Sequence, residues 1–188
     1  MSIDSSTSDT KALRAFVVDC PEFRQLEQLL GKFNIFEVLK LCDHEIRHST
    51  VLAWLLDPNE SHGFGDLFLR RWLMRVLHDT DAASDNLPDA VEIDAAQFQS
   101  VQVRREWNHI DLLIEIHLSH SKQWVVAIEN KVWSSQHSDQ LRRYREVMEA
   151  AYPRAQRCYI FLAVLPEEPE DDAYLSATYA QIAAVLST

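Results

Sequence analysis

The chain has 188 residues, 47% of them hydrophobic, with a formal net charge of −11 at pH 7; this length buries one sizeable core and gives no sign of a second full domain. Its three cysteines, Cys20, Cys42 and Cys158, lie far apart without Cys-x-x-Cys spacing, so neither a disulfide framework nor a thiolate zinc site is indicated and a reducing cytoplasm fits. No charged-then-apolar leader opens the chain and no apolar run approaches the ~20 residues that span a bilayer, so a soluble cytoplasmic protein without membrane partners is expected.

Residues 1–20 are expected to be disordered, because their first ten are rich in Ser, Thr and Asp, and residues 21–188 to form a single domain. Residues 21–30 put Phe23, Leu26, Leu29 and Leu30 at helical spacing with Pro21 in the first helical position, and Asn34 caps a second short helix through Leu41. His44-Glu45-Ile46-Arg47-His48 then matches H-E-x-x-H. On a helix that pattern turns two histidines to one face for Zn²⁺ and offers the glutamate as general base of a metalloprotease. Only Glu60 and His62 stand nearby as further ligands, neither at a familiar spacing, and a helix boundary is expected before Ser49. A zinc protease is therefore the alternative reading of this segment, and a hydrogen-bonded or surface histidine the preferred one for His44.

Residues 49–56 present Val51, Leu52, Leu55 and Leu56 as a buried helix ended by Asp57-Pro58. The turn over residues 58–65 holds Gly63 and Gly65, which fit no phosphate-binding loop pattern, and Asp66 is the expected N-cap of an apolar-rich helix carrying Leu67, Leu69, Trp72, Leu73, Val76 and Leu77. The acidic stretches 79–94 and 167–172 read as solvated loop.

Residues 98–107 alternate Val101, Val103, Arg105 and Trp107 against Gln102, Arg104 and Glu106, a strand joined by the tight turn Asn108-His109 to the next. Arg104 and Arg105 are expected on an exposed strand face, with contact to phosphate as the alternative. In the run from Ile110, alternate side chains put Ile110, Leu112, Ile114 and Ile116 on one face, and Asp111, Leu113, Glu115 and His117 on the other. From Trp124 a second run puts Trp124, Val126, Ile128 and Val132 against Val125, Ala127, Glu129 and Lys131. A hairpin centred on His120 pairs Ile116 with Trp124, Ile114 with Val126 and Leu112 with Ile128, and brings Asp111 opposite Glu129. Neighbouring strands lie only about 4.8 Å apart, so opposed carboxylates are costly without a cation between them. Mg²⁺, or Mn²⁺ in its place, suits the site, since it takes oxygen ligands at roughly 2.0 to 2.1 Å from groups such as an Asp, a Glu and the carbonyl of Asn130. Lys131 faces the same way.

Beyond a polar turn, Leu141, Tyr144, Met148 and Ala151 form the packed face of a helix, with Arg142, Arg143 and Arg145 elsewhere around its axis. A net charge of −11 is unfavourable for binding phosphate, yet these arginines with Lys131, Arg154 and Arg157 gather beside the proposed site. Residues 157–164 read as a buried strand and residues 177–186 as a last helix.

Asp111, followed eighteen positions later by Glu129-Asn130-Lys131 on an apolar strand, resembles the signature of the PD-(D/E)XK nuclease superfamily, with Ile110 in place of the proline. Glu45, His48-Ser49 and Leu52-Ala53-Trp54-Leu55-Leu56-Asp57-Pro58 resemble the opening of one branch of it, which residues 61–66 also match. Gln140-x-x-x-Tyr144 is similar to the extra motif of its exonuclease-like members. The likeness covers about residues 34–186 and implies an α/β restriction-endonuclease-like core: a central mixed sheet of about four strands flanked by helices, in the order α-β-β-β-α-β. It implies a metal-dependent nuclease that hydrolyses phosphodiester bonds of nucleic acid, DNA first. Asp111, Glu129, the Asn130 carbonyl and Glu45 would hold Mg²⁺. Lys131 would orient the attacking water or stabilise charge on the phosphorane, since an ordinary lysine pKa of about 10.4 makes it a poor base at neutral pH. Gln140, Tyr144, Arg142, Arg143, Arg145, His48 and Ser49 would bind nucleic acid or order the site. Members of this branch often run longer, and such an extension is a place for DNA contacts or for the surface of a homodimer. A noncatalytic binding module built on the same core is the remaining alternative.

Overall fold

The computed structural model describes residues 45–79, 88–132 and 139–187; the disorder expected over 1–20 and the helices expected over 21–30 and 34–41 lie outside the described residues. Cys42–Thr188 makes one compact unit. In chain order it contains α1 Glu45–Leu56, α2 Leu67–Asp79, α3 Ala90–Ala95, β1 Phe98–Trp107, β2 Ile110–Leu118, β3 Gln123–Lys131, α4 Gln140–Ala151, β4 Gln156–Ala163, β5 Tyr174–Thr178 and α5 Tyr179–Leu186. No helix among the described residues is long and apolar enough to cross a membrane.

The sheet has five strands in the order β1-β2-β3-β4-β5. β1, β2 and β3 pair antiparallel, as successive hairpins must. β3, β4 and β5 run parallel, joined by crossovers. The β2–β3 ladder has the expected register, with Leu112 opposite Ile128, Ile114 opposite Val126 and Ile116 opposite Trp124. Leu118 N–H closes the turn on the Lys122 carbonyl at 2.9 Å, and His120 and Ser121 turn the chain with φ of 59° each. At the other hairpin Asn108 and His109 have φ of 49° and 70°; two consecutive positive values suit the twist of a two-residue connection.

Both faces of the sheet are buried. Leu112, Ile114, Ile116, Trp124, Val126, Ile128, Ile160 and Leu162 pack with α1, α2, α3 and α5. Leu113, Val125, Ala127, Tyr159 and Phe161 pack with Leu141, Tyr144 and Met148 of α4. At the start of β2 the faces depart from simple alternation, for Ile110 and its partner Trp107 join the α4 cluster. Glu106, next to Trp107, has a φ of 55°, a left-handed backbone that is uncommon in a regular pleat.

Three expectations need correction. One helix runs without a break from Glu45 through Leu56, so there is no boundary before Ser49. The acidic stretch is not all loop, because Asp89 caps α3 with a reciprocal Glu92 contact and Ile93 is fully buried. Finally, the sheet has β5 in addition to the four strands expected; Ala177 and Thr178 end this strand, and Thr178 caps α5 in a box with Gln181.

Candidate active site

The site begins with a conflict in β3. Glu129 is 2% exposed, and a buried carboxylate is costly unless it is paired. Two residues on, and therefore on the same strand face, Lys131 places Nζ 2.8 Å from Glu129 Oε1. Gln140, the first residue of α4, donates from Nε2 to the same oxygen at 2.8 Å and to the Tyr144 hydroxyl, one turn along, also at 2.8 Å.

Asp111 stands beside this group on β2. The regular β2–β3 pairing runs only as far as Leu112 and Ile128. One position beyond it the Asp111 side chain takes over, with Oδ2 accepting the Asn130 backbone N–H at 2.8 Å. Asp111 and Glu129 both act on Tyr144: burial raises the phenol above its ordinary pKa, the Gln140 hydrogen bond opposes the rise, and the charges of Glu129 and then Asp111 add to it. Tyr144 therefore remains a neutral phenol at neutral pH, its hydroxyl accepting from Gln140. Burial likewise pushes Tyr174 far up, with Glu129 adding to the effect, and its hydroxyl donates to the Leu141 carbonyl at 3.2 Å, tying β5 to α4.

Alternation sends the Asn130 side chain through to the opposite face, where it is fully buried. There its Nδ2 donates to Ser49 Oγ on α1 at 3.1 Å, and the Tyr179 hydroxyl of α5 donates to its Oδ1 at 2.7 Å. His48 meets the Tyr179 ring edge-on at a centroid distance of 5.8 Å. His48 and Ser49 thus lie behind the sheet rather than in the front group. Glu45 is the first residue of α1, one helical turn before Ser49, and His44 lies outside the described residues.

The three expected arginines diverge. Arg142 pairs with Asp139 at 2.9 Å and with Glu146. Arg145 pairs with Asp171 at 3.0 Å and with Glu149. Arg143 is exposed and lies over the Tyr144 ring, 5.8 Å from its centroid. Along β2 from Asp111, Glu115 is buried on the α4 side and pairs with Arg104 at 3.0 Å. Sequence reasoning missed Tyr179, which carries no signal beyond following the capping residue Thr178. It also missed the Glu115–Arg104 pair, in which Arg104 stands opposite Leu113 and reaches diagonally to Glu115.

Among the described residues no three His, Cys, Asp or Glu side chains gather as a metal-binding group. Asp111 and Glu129 offer oxygen atoms, which are what a hard divalent cation takes when waters and substrate complete its shell.

A mixed α/β sheet with an Asp, a Glu and a Lys on one face, closed by a Gln and a Tyr from the next helix, defines the class. The chain belongs to the PD-(D/E)XK nuclease superfamily, whose family model matches residues 33–186. No curated protein and no solved structure matched it.

Proposed function

We propose that this protein is a metal-dependent nuclease that cleaves phosphodiester bonds, with DNA as the first substrate to test and Mg²⁺ or Mn²⁺ as cofactor. The observation that carries the reading is the meeting of Asp111 from β2 with Glu129 and Lys131 from β3, with Gln140 and Tyr144 of α4 closing over them. A scaffold has no packing reason to set two carboxylates and an amine on one strand face.

Asp111, Glu129 and the Asn130 carbonyl would hold the cation, and Glu45, the first residue of α1, is the further ligand that the family resemblance implies. When bound there, the cation supplies Lewis acidity toward the phosphate and lowers the pKa of a bound water. Lys131 carries positive charge toward the attacked phosphate and steadies the charge that develops on its oxygens. Gln140 fixes the rotamer of Glu129, and the neutral Tyr144 hydroxyl offers a donor beside both carboxylates.

The deciding experiment is cleavage of single- and double-stranded DNA and RNA with Mg²⁺, Mn²⁺, Zn²⁺ or chelator, by the wild type and by Asp111→Ala, Glu129→Ala and Lys131→Ala. Cleavage that needs Mg²⁺ or Mn²⁺ and vanishes in all three variants supports the proposal. A zinc-dependent peptidase activity that His44→Ala and His48→Ala abolish and Lys131→Ala leaves intact would replace it. Binding of nucleic acid with no cleavage under any metal would make the protein a noncatalytic module.

A further inference from the structure

Asn130 stands between the two β3 residues of the proposed centre, and its surroundings are specified on both sides of the sheet. In front, its backbone N–H is held by Asp111 Oδ2 at 2.8 Å. Behind, its side-chain amide is held by Ser49 and by Tyr179 at 2.7 Å. A fully buried primary amide has to satisfy both its carbonyl and its NH₂ group, so these contacts fix the side chain. With side chain and N–H both held, the peptide between Glu129 and Asn130 has little freedom to rotate.

Tyr179 is placed to act in this way by its position in the fold. In the parallel half of the sheet Lys131, Ala163 and Thr178 form one row across β3, β4 and β5. Tyr179 follows Thr178 directly and so starts α5 at the same end of the sheet as the site. The Thr178–Gln181 capping box, with Thr178 N–H donating to Gln181 Oε1 at 2.8 Å, anchors that first turn, and the edge of His48 confines the ring.

We infer that Tyr179 is a positioning residue of this site: through its hydrogen bond to Asn130 it sets, from the opposite face of the sheet, the peptide that carries Glu129, the Asn130 carbonyl and Lys131. The inference rests on the proposed role of those residues. It also gives the small cluster of Ser49, Tyr179 and His48 a purpose other than packing, since groups that orient metal ligands commonly change metal affinity or activity 10- to 100-fold when removed.

Tyr179→Phe is the test, because it deletes the hydroxyl and keeps the ring against His48. In the metal-free protein, the Asn130 backbone and side-chain amide signals in a ¹H–¹⁵N spectrum should move, while those of Val125 and Val126 on the same strand stay in place. The Kd for Mn²⁺ should rise about tenfold, kcat should fall by a similar factor and KM for nucleic acid should hold, while the melting temperature falls, because Asn130 Oδ1 stays buried and loses this donor. Ser49→Ala, removing the other partner, should move the same two Asn130 signals. Unmoved Asn130 signals in Tyr179→Phe overturn the inference, as does an unchanged Mn²⁺ Kd. A wild type that binds no Mn²⁺ overturns the metal-site reading instead, and the Asn130 signals then decide the role of Tyr179 by themselves.

Discussion

Gln140 joins α4 to β3 through one side-chain amide, which donates to Glu129 Oε1 and to the Tyr144 hydroxyl, each at 2.8 Å. Gln140→Ala removes both bonds at once and withdraws one partner from a buried carboxylate. Activity under saturating metal should fall about 10- to 100-fold, as for other residues that orient metal ligands. Tyr144→Phe keeps the bond between Gln140 and Glu129 and should cost less. Steady-state kinetics on the two variants check the order; a larger loss for Tyr144→Phe would mean that the phenol, rather than the amide, acts at the centre.

Arg143 is singled out among the arginines of α4 because Arg142 and Arg145 already face carboxylates of their own chain, whereas Arg143 lies over Tyr144 at the edge of the site. Releasing a phosphate-bound counterion contributes a slope of about −0.9 per contact to the dependence of log K on log salt for duplex DNA. Arg143→Ala should flatten that slope by about one contact, and Arg142→Ala and Arg145→Ala should leave it close to the wild type. Salt titrations of binding under chelator measure all three; an unchanged slope in Arg143→Ala would make it a solvated residue like its neighbours.

The register of β2 and β3 was legible because the alternation of apolar residues and a polar break centred on His120 agree on one pairing, which the ladder from the Leu112 and Ile128 pair to the Ile116 and Trp124 pair has. That pairing, with the parity of strand faces, sets Asp111 opposite Glu129, whereas the ladder ends at Leu112 and Ile128 and Asp111 Oδ2 meets the Asn130 N–H one position beyond. The reversal of Trp107 and Ile110 was not legible, since both fit the alternation of their own strands. Nor was β5, whose five residues are too few to show a period and end within a segment that reads as helix. The rear of the site was hidden for a different reason. Which helices cover Asn130 depends on the crossover from β5 into α5, and no local pattern around Tyr179 records a partner 49 residues away.

At alkaline pH the tyrosines should report the integrity of the fold. Of the five in the chain, Tyr144, Tyr152, Tyr159 and Tyr174 are all raised, in each case chiefly by burial. A folded pKa above the unfolded value of about 10 means that the stability contributed is fully present below pH 10 and is lost as pH rises through the folded values. Tyrosinate absorbance should therefore rise late and together with the loss of near-ultraviolet circular dichroism. Ionisation of these four near pH 10 with the dichroism intact would contradict the burial of their rings.

The last prediction compares two carboxylates four residues apart on the same strand face, which the proposed function assigns opposite roles. Asp111 sits against Asn130 N–H beside Glu129, and Glu115 sits against Arg104 at 3.0 Å, with Gln123 Nε2 at 3.4 Å from its other oxygen. In Asp111→Asn the amide oxygen can still accept from Asn130, and removing one of two neighbouring negative charges relieves repulsion. Its melting temperature should hold or rise while Mn²⁺ binding and cleavage disappear. In Glu115→Gln a buried ion pair is broken, which costs about 3–5 kcal/mol when both groups are fully desolvated. Here the Arg104 side chain is 40% exposed and can rehydrate, so a cost of about 1–2 kcal/mol is expected, nearer that of a surface pair. For a chain of this size that lowers the melting temperature by roughly 2–8 °C, with Mn²⁺ binding and cleavage per folded molecule retained. Calorimetry and single-turnover cleavage on the same preparations separate the two roles. If Glu115→Gln instead abolished cleavage at unchanged stability and Asp111→Asn did not, the reaction centre would lie further along β2 than the pairing of Asp111, Glu129 and Lys131 places it.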